Sequence, residues 1–224
     1  MVEAGQVHRH EGGLSEAQLA LLSAGAAQSV VTSLAKQHGI TLRADFGAVG
    51  AMRQRLLEGA PCDVIILTQA MISELPVVAK ADLGRVPTSI AVRAGDADPD
   101  ASLARAFEGK DVYFPDPDKA TAGAHVAKIL QKLRVRVNAK IFPNGATAMR
   151  EMAKASGNVI GCTQATEILA TPGLRLVAPL PGEFALETAY SAGICRDTPL
   201  ARRFLDLLAS DASRALRQEK GFNV

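Results

Sequence analysis

The sequence predicts an α/β fold assembled from strand–turn–helix units, and three observations carry that prediction. Residues 21–59 read as a short buried strand, a Gly/Ala turn, a helix, a second strand, a Gly turn and a second helix. The same order recurs after residue 110. Composition agrees, with 48% hydrophobic and 21% charged residues and no Trp, as in ordinary globular α/β chains. The chain of 224 residues is long enough for a substantial core in one domain or two small lobes.

The opening unit holds two small-residue turns, Ser23-Ala24-Gly25-Ala26 and Phe46-Gly47-Ala48-Val49-Gly50, each where a strand hands over to a helix. A helix start carries unpaired backbone N–H groups and about half a positive charge, so it can hold an anion. Small residues there let a ligand approach the backbone. The same turns also serve simple helix-to-sheet packing. A helix over 29–36 stops at His38-Gly39, a strand follows over 40–46, and a helix over 51–57 places Arg53 in its first turn. The apolar run Cys62-Asp63-Val64-Ile65-Ile66-Leu67, bounded by Pro61 and Thr68, reads as a buried parallel strand. Thr68 and Gln69 then stand at its carboxyl end.

A short helix to Leu75 and a loop lead to a strand over 89–92, and a polar turn follows over 95–100. In the second half, a strand over 111–114 runs into Pro115-Asp116-Pro117-Asp118-Lys119-Ala120-Thr121-Ala122-Gly123. His125 lies in the first turn of the helix after it. Ile141-Phe142-Pro143 precedes Asn144-Gly145-Ala146-Thr147 and a helix to Ala155. A strand over 158–162 delivers Thr163-Gln164-Ala165-Thr166 to another helix start. Strands over 174–180 and 188–194 come next, the second returning to the first lobe. Residues 199–218 read as one amphipathic helix with Phe204, Leu205, Leu207 and Leu208 on its apolar side.

The net charge of +2 with no basic block gives no support for nucleic-acid binding. The three cysteines, Cys62, Cys162 and Cys195, are widely spaced and form no metal-binding pattern. That spacing argues against a zinc site or a disulfide framework, and their odd number fits a reducing compartment. Residues 1–13 read as a flexible tail whose His8 and His10 are exposed rather than metal-binding; no metal and no cofactor are expected. The N-terminus lacks an apolar signal region, and no run of about 18 apolar residues exists, so no membrane insertion is expected. The chain as written reads as cytoplasmic, or periplasmic if a leader has been removed.

From residue 21 to 222 the chain resembles the type 2 periplasmic solute-binding proteins, and within them the molybdate-binding group. The residues that carry the resemblance are the two turns above, Gly59-Ala60-Pro61-Cys62-Asp63-Val64, Asp116 to Gly123, and Ala201-Arg202-Arg203-Phe204-Leu205 with the closing Lys220-Gly221-Phe222. The resemblance implies a two-lobe periplasmic-binding-protein-like (type 2) fold with a ligand cleft between the lobes. Lobe 1 would comprise 14–88 with 190–224, and lobe 2 would comprise 89–189. It implies a small anionic ligand and, as a partner, the membrane component of an ABC transporter.

The contacts implied for such a ligand are Ser23, Gly25, Ala26, Ala48, Val49, Thr68, Gln69, Lys119, Thr121, Ala122, Asn144, Gly145, Thr147, Thr163 and Gln164. Molybdate binders usually place Ser where Ala26 and Val49 stand, and often Tyr where Gln164 stands. Losing two hydroxyl donors to a buried oxyanion costs roughly 1.5–3 kcal/mol each, one to two decades of affinity per bond. An organic carboxylate is therefore expected rather than molybdate. Lys119 and Arg53 are the nearest cations, although Lys119 also reads as a solvated loop charge and Arg53 as a partner of Glu58. Thr121, Asn144 and Thr163 read equally as helix caps. Aconitate isomerases look similar to this fold, and for such chemistry the convenient bases are His125 and Glu167. The effector half of a transcription regulator ranks last, since no helix-turn-helix segment precedes the first strand.

Overall fold

Strand–helix alternation produces the architecture directly. The computed structural model describes residues 18–224; the tail expected over 1–13, with His8 and His10, lies outside the described residues. In chain order the elements are β1 (Leu19–Ala24), α1 (Gln28–Gln37), β2 (Leu42–Gly47), α2 (Val49–Leu57), β3 (Val64–Thr68), α3 (Gln69–Ser73) and β4 (Lys80–Arg93). They continue with α4 (Leu103–Phe107), β5 (Asp111–Pro115), α5 (Thr121–Leu133), β6 (Asn138–Phe142), α6 (Gly145–Lys154), β7 (Val159–Gln164) and α7 (Ala165–Leu169). β8 (Leu174–Pro179), β9 (Glu187–Ile194), α8 (Pro199–Ala209) and α9 (Arg214–Glu219) complete the chain.

The strands lie in the order β2-β1-β3-β9-β4-β7-β5-β6, with β8 added on β4. β1 pairs parallel with β2 and β3, and β5 pairs parallel with β6 and β7. These are the crossover units that helices on the sheet faces require. β4 is shared. Its first half pairs antiparallel with β9 up to Pro87↔Glu187, and its second half pairs with β7 from Thr88↔Gln164 onward. One strand thus runs from the first sheet into the second, and the chain returns between Leu180 and Glu187.

Each sheet has its own buried core. Leu21, Val30, Ile66 and Phe204 belong to the first. In the second, Phe107, Phe114, Val126 and Ile160 cover one face, and Met149, Met152 and Val159 cover the other. Among the described residues no helix is long and apolar enough to cross a membrane.

Two elements differ from the sequence reading. The strand expected over 89–92 begins at Lys80, because β9 supplies partners for residues that carry no alternating apolar signal. Gly84 takes φ of +120° at an irregularity in this pairing, and a Cβ there would sit 2.6 Å from the Asn223 carbonyl oxygen. The long C-terminal helix is broken at Ser210, which is extended. Its hydroxyl accepts from the Ser213 N–H and starts a new turn, so local capping overrides the periodicity.

Gly123 sets how closely α5 approaches β5. A Cβ on it would lie 2.2 Å from the Pro115 carbonyl oxygen and 2.7 Å from that of Asp116. Gly123→Ala is expected to cost about 1–3 kcal/mol, the usual price of overpacking, read as a fall in the urea midpoint at unchanged m-value.

Candidate functional site

The carboxyl ends of β1, β2, β5 and β7 converge, and the helix starts that follow them surround one cavity. Its lining is Ala24, Gly25 and Ala26 after β1, Gly47, Ala48 and Val49 after β2, Pro115 and Ala120–Ala122 after β5, and Thr163, Gln164 and Glu167 around the end of β7, with Tyr190 from β9. A water-sized sphere can occupy only about 30 Å³ of it, and the whole space between the lining atoms, open mouth included, is about 290 Å³. Small side chains are what allow four strand ends to meet here, and they leave the backbone N–H groups near the space. The starts of α2 and α5 have no side-chain cap, so their leading N–H groups, apart from that of Gly50, remain available to a ligand. Across the cavity mouth the Gly50 N–H donates to the Lys119 carbonyl at 3.0 Å, joining the two halves directly.

Of the residues considered from the sequence, Gly25, Ala26, Ala48, Val49, Thr121, Ala122, Thr163, Gln164 and Glu167 line this cavity. The others are placed elsewhere. Ser23 is fully buried in β1 and donates to the Ala24 carbonyl at 3.0 Å. Thr68 accepts from the Met71 N–H and caps α3. Gln69 donates to Asp82 at 3.2 Å. Asn144 caps α6 by accepting from the Thr147 N–H at 2.9 Å, and Gly145 lies behind Glu167 and Thr163. Lys119 is solvent-facing, 4.0 Å from Asp116, and Arg53 pairs with Glu74 at 2.9 Å rather than with Glu58. His125 Nε2 lies 2.7 Å from the Phe184 carbonyl oxygen, which holds the ring in the return segment and away from the cavity lining.

Among the described residues no Lys, Arg or His lines the cavity. Its ionisable groups are Glu167 and Tyr190. Glu167, 7% exposed, accepts from the Thr163 hydroxyl at 2.6 Å and from the backbone N–H groups of Gln164 and Ala146. The bond to Gln164 is half of a capping box on α7, and the bond to Ala146 caps α6. Burial nevertheless dominates and pushes its carboxyl up to about 7, against the lowering effect of those three donors. Burial and the neighbouring Glu167 charge together raise the Tyr190 phenol. Gln164, 4% exposed, donates from Nε2 to the Thr188 hydroxyl at 3.1 Å. Its Oε1 is buried with no partner among the described residues, a vacancy that native proteins seldom leave.

Two residues of this region escape sequence reading. Tyr190 sits in an apolar strand and reads as core. Arg150 reads as a solvated charge on α6, yet it borders two open grooves that adjoin the cavity, of about 650 and 530 Å³ counting the solvent at their mouths, both also lined by Gly25, Gln28 and Ala146. Glu167 borders the larger groove as well. The Arg150 guanidinium donates to the Thr147 hydroxyl at 3.0 Å, and among the described residues no carboxylate pairs with it. The only unusual sequence signal for Arg150 is its place one helical turn after the Asn144-Gly145 start of α6.

Known proteins share this fold. The sequence profile described as "Bacterial extracellular solute-binding protein" matches residues 20–223. The chain is 29% identical to an aconitate isomerase from Pseudomonas sp. over 189 residues, which cover 74% of this chain and 69% of that one. By structure it is similar to the Azotobacter vinelandii periplasmic molybdate-binding protein, with a TM-score of 0.70 and 15% identity over 92% of this chain and 99% of that one. The sulfate-binding protein of Mycobacterium tuberculosis matches with a TM-score of 0.70 and 15% identity, covering 92% and 86%. These likenesses establish the two-lobe α/β fold expected from the sequence, and the profile match establishes the family. The chain belongs to the bacterial extracellular solute-binding proteins.

Proposed function

We propose that this protein binds a small organic anion with more than one carboxylate in the cleft between its two sheets, as a solute-binding or sensing protein. The observation that carries the reading is the mixture of donors and acceptors in one cavity. Uncapped starts of α2 and α5 offer N–H donors to a carboxylate, while Gln164 Oε1 offers a buried acceptor. A fully ionised tetrahedral oxyanion has no proton for that acceptor, and it would meet it unpaired at a cost of about 1–3 kcal/mol. A hydroxy acid or partly protonated polycarboxylate has one. Arg150, beside the adjoining grooves, is positioned to take a second carboxylate through its fork of donors. In its transport form, this reading has the loaded protein deliver its ligand to the membrane component of an ABC transporter. The family description favours action outside the cytoplasm over the cytoplasmic reading of the sequence.

A thermal-shift panel of molybdate, tungstate, sulfate, citrate, cis-aconitate and trans-aconitate tests this. At a hundredfold excess over Kd a ligand adds about 2.7 kcal/mol, or roughly 5–10 °C at this chain length. Shifts are expected with the polycarboxylates. A shift with molybdate and none with them would overturn the reading. Arg150→Ala is expected to weaken polycarboxylate binding tenfold to a hundredfold, the loss of one charged hydrogen-bonding partner, with a monocarboxylate unaffected in titration calorimetry.

One observation favours a second reading, a cofactor-free isomerase of the aconitate type. A carboxyl titrating near 7 inside the cavity can take a proton from carbon and return it elsewhere, at the pKa that suits general base catalysis. Glu167 would be that base, since His125 is engaged by Phe184. An absorbance assay of cis–trans interconversion decides it: Glu167→Gln should reduce turnover about 10²–10⁴-fold while binding persists. Absence of turnover in the parent protein would leave the binding reading alone.

A further inference from the structure

Cys62 and Cys195 lie side by side at the end of the first sheet remote from the cleft. Cys62 precedes β3 and Cys195 follows β9, two strands that pair antiparallel with Val64↔Ile194 and Ile65↔Gly193. Continuing that register sets Cys195 opposite Asp63, and the Cys195 N–H indeed donates to the Asp63 carbonyl at 2.8 Å. Cys62 is therefore one residue off direct opposition. In a regular ladder that offset would turn the two side chains to opposite faces, but Cys62 lies outside β3 and the Asp63 carbonyl accepts from both the Cys195 and the Arg196 N–H groups, so the pairing is irregular here. Strand spacing keeps the two Cα atoms about 6 Å apart, inside the ~4.4–6.8 Å window that a disulfide needs. The Cys62 thiol donates to the Val64 carbonyl at 3.1 Å, and the two thiols are near enough to shift one another's titration. Both residues are half-buried, and Cys162 is fully buried in the second sheet.

We propose that Cys62 and Cys195 form a disulfide when the chain enters an oxidising compartment, as its extracellular family implies, and that Cys162 remains a thiol. The inference is independent of which ligand the cleft takes. The contact between the two cysteines holds the Cys195 thiol below its ordinary range and pushes the Cys62 thiol up, which makes Cys195 the better first nucleophile. The oxidant is a disulfide donor, such as oxidised glutathione or a dithiol oxidase. The Cys195 thiolate attacks one donor sulfur, giving a mixed disulfide and releasing one donor thiolate. The Cys62 thiolate then attacks the Cys195 sulfur and releases the second. The two protein thiols are oxidised, the donor disulfide is reduced, and the two thiol protons end on the donor. The odd cysteine count thus resolves into one bridge and one buried thiol.

The bridge closes a loop of more than half the chain, which includes the whole second sheet. It spans the strand that precedes the excursion into that sheet and the strand that returns from it. Loops of this length gain most from cross-linking, and a loss of roughly 10 °C or more in melting temperature is expected on reduction. The cleft lies at the other end of β3, beyond Thr68, so affinity for citrate or molybdate, whichever binds, should not change.

The test is intact-protein mass analysis of the full chain, equilibrated with oxidised and reduced glutathione, then unfolded and alkylated. One alkylated cysteine is expected in the oxidised sample and three after reduction, with peptide mapping linking Cys62 to Cys195. The melting temperature of Cys62→Ser with Cys195→Ser should be insensitive to reductant, and that of Cys162→Ser should keep the full response. Three alkylated cysteines in the oxidised sample, or a linkage that includes Cys162, would overturn the proposal. If the double variant does not fold, the parent protein's alkylation count still decides.

Discussion

Gly145→Ala lowers stability by about 3 kcal/mol and disrupts ligand binding, although it adds only one methyl group. A Cβ at Gly145 would stand 1.9 Å from Glu167 Oε2 and 2.2 Å from Thr163 Oγ1, far inside contact distance. The residue opens α6 and is itself buried, and the carboxyl behind it can move aside only by giving up the Thr163, Gln164 and Ala146 donors that hold it. The cost falls at or above the upper end of the ~1–3 kcal/mol usual for overpacking. Displacing Glu167 also removes the cap on the Ala146 N–H. Urea denaturation measures the stability loss, and titration calorimetry the lost affinity. Gly157→Ala is the control for helix-end glycines, since a Cβ there meets nothing within 4 Å, although its positive φ carries a cost of its own.

Glu167 makes stability and binding fall as pH rises through neutrality. Its folded-state pKa, about 7, lies above the ordinary value of 4.5, so the folded protein holds this proton more tightly than the unfolded chain. The stabilisation is fully present below about pH 4.5 and is lost as pH rises through about 7. It amounts to about 3 kcal/mol. Asp96 and Glu108, both held low by arginine partners, act in the opposite direction and only in more acid solution. Comparison of the parent with Glu167→Gln across this window isolates the Glu167 contribution. The parent should lose stability on going from pH 5 to pH 8 relative to the variant, and parallel curves would contradict the assignment. An anion in the cavity favours the protonated carboxyl, so affinity should also fall by up to tenfold per pH unit above about 7, and Glu167→Gln should abolish that slope.

Much of the fold is legible in the sequence because its strands are short apolar runs closed by small-residue turns. Residues 62–67 and 111–114 could be little else. Where the signal lay in tertiary pairing it was invisible: Lys80–Pro87 has no apolar alternation and becomes strand only because β9 runs beside it. The site divides in the same way. Turns after strands announce helix starts, and so Gly25, Ala48, Thr121 and Gln164 are found at the cavity by position alone. Side-chain direction is a different matter. Thr68 and Asn144 stand at the right ends of the right strands but spend their oxygens capping their own helices, and the His125 ring is drawn to Phe184. Tyr190 and Arg150 come from a core-like strand and a solvent-like helix face, and only the packing of the two sheets brings them to the cleft.

The most direct measurement is a calorimetric titration of the protein with trans-aconitate and with molybdate, each near pH 6 and near pH 8. The account predicts saturable binding of trans-aconitate in the interlobe cleft, tighter at the lower pH, with uptake of a proton, and weaker or undetectable binding of molybdate. Tight, pH-independent binding of molybdate with no heat from trans-aconitate would contradict it.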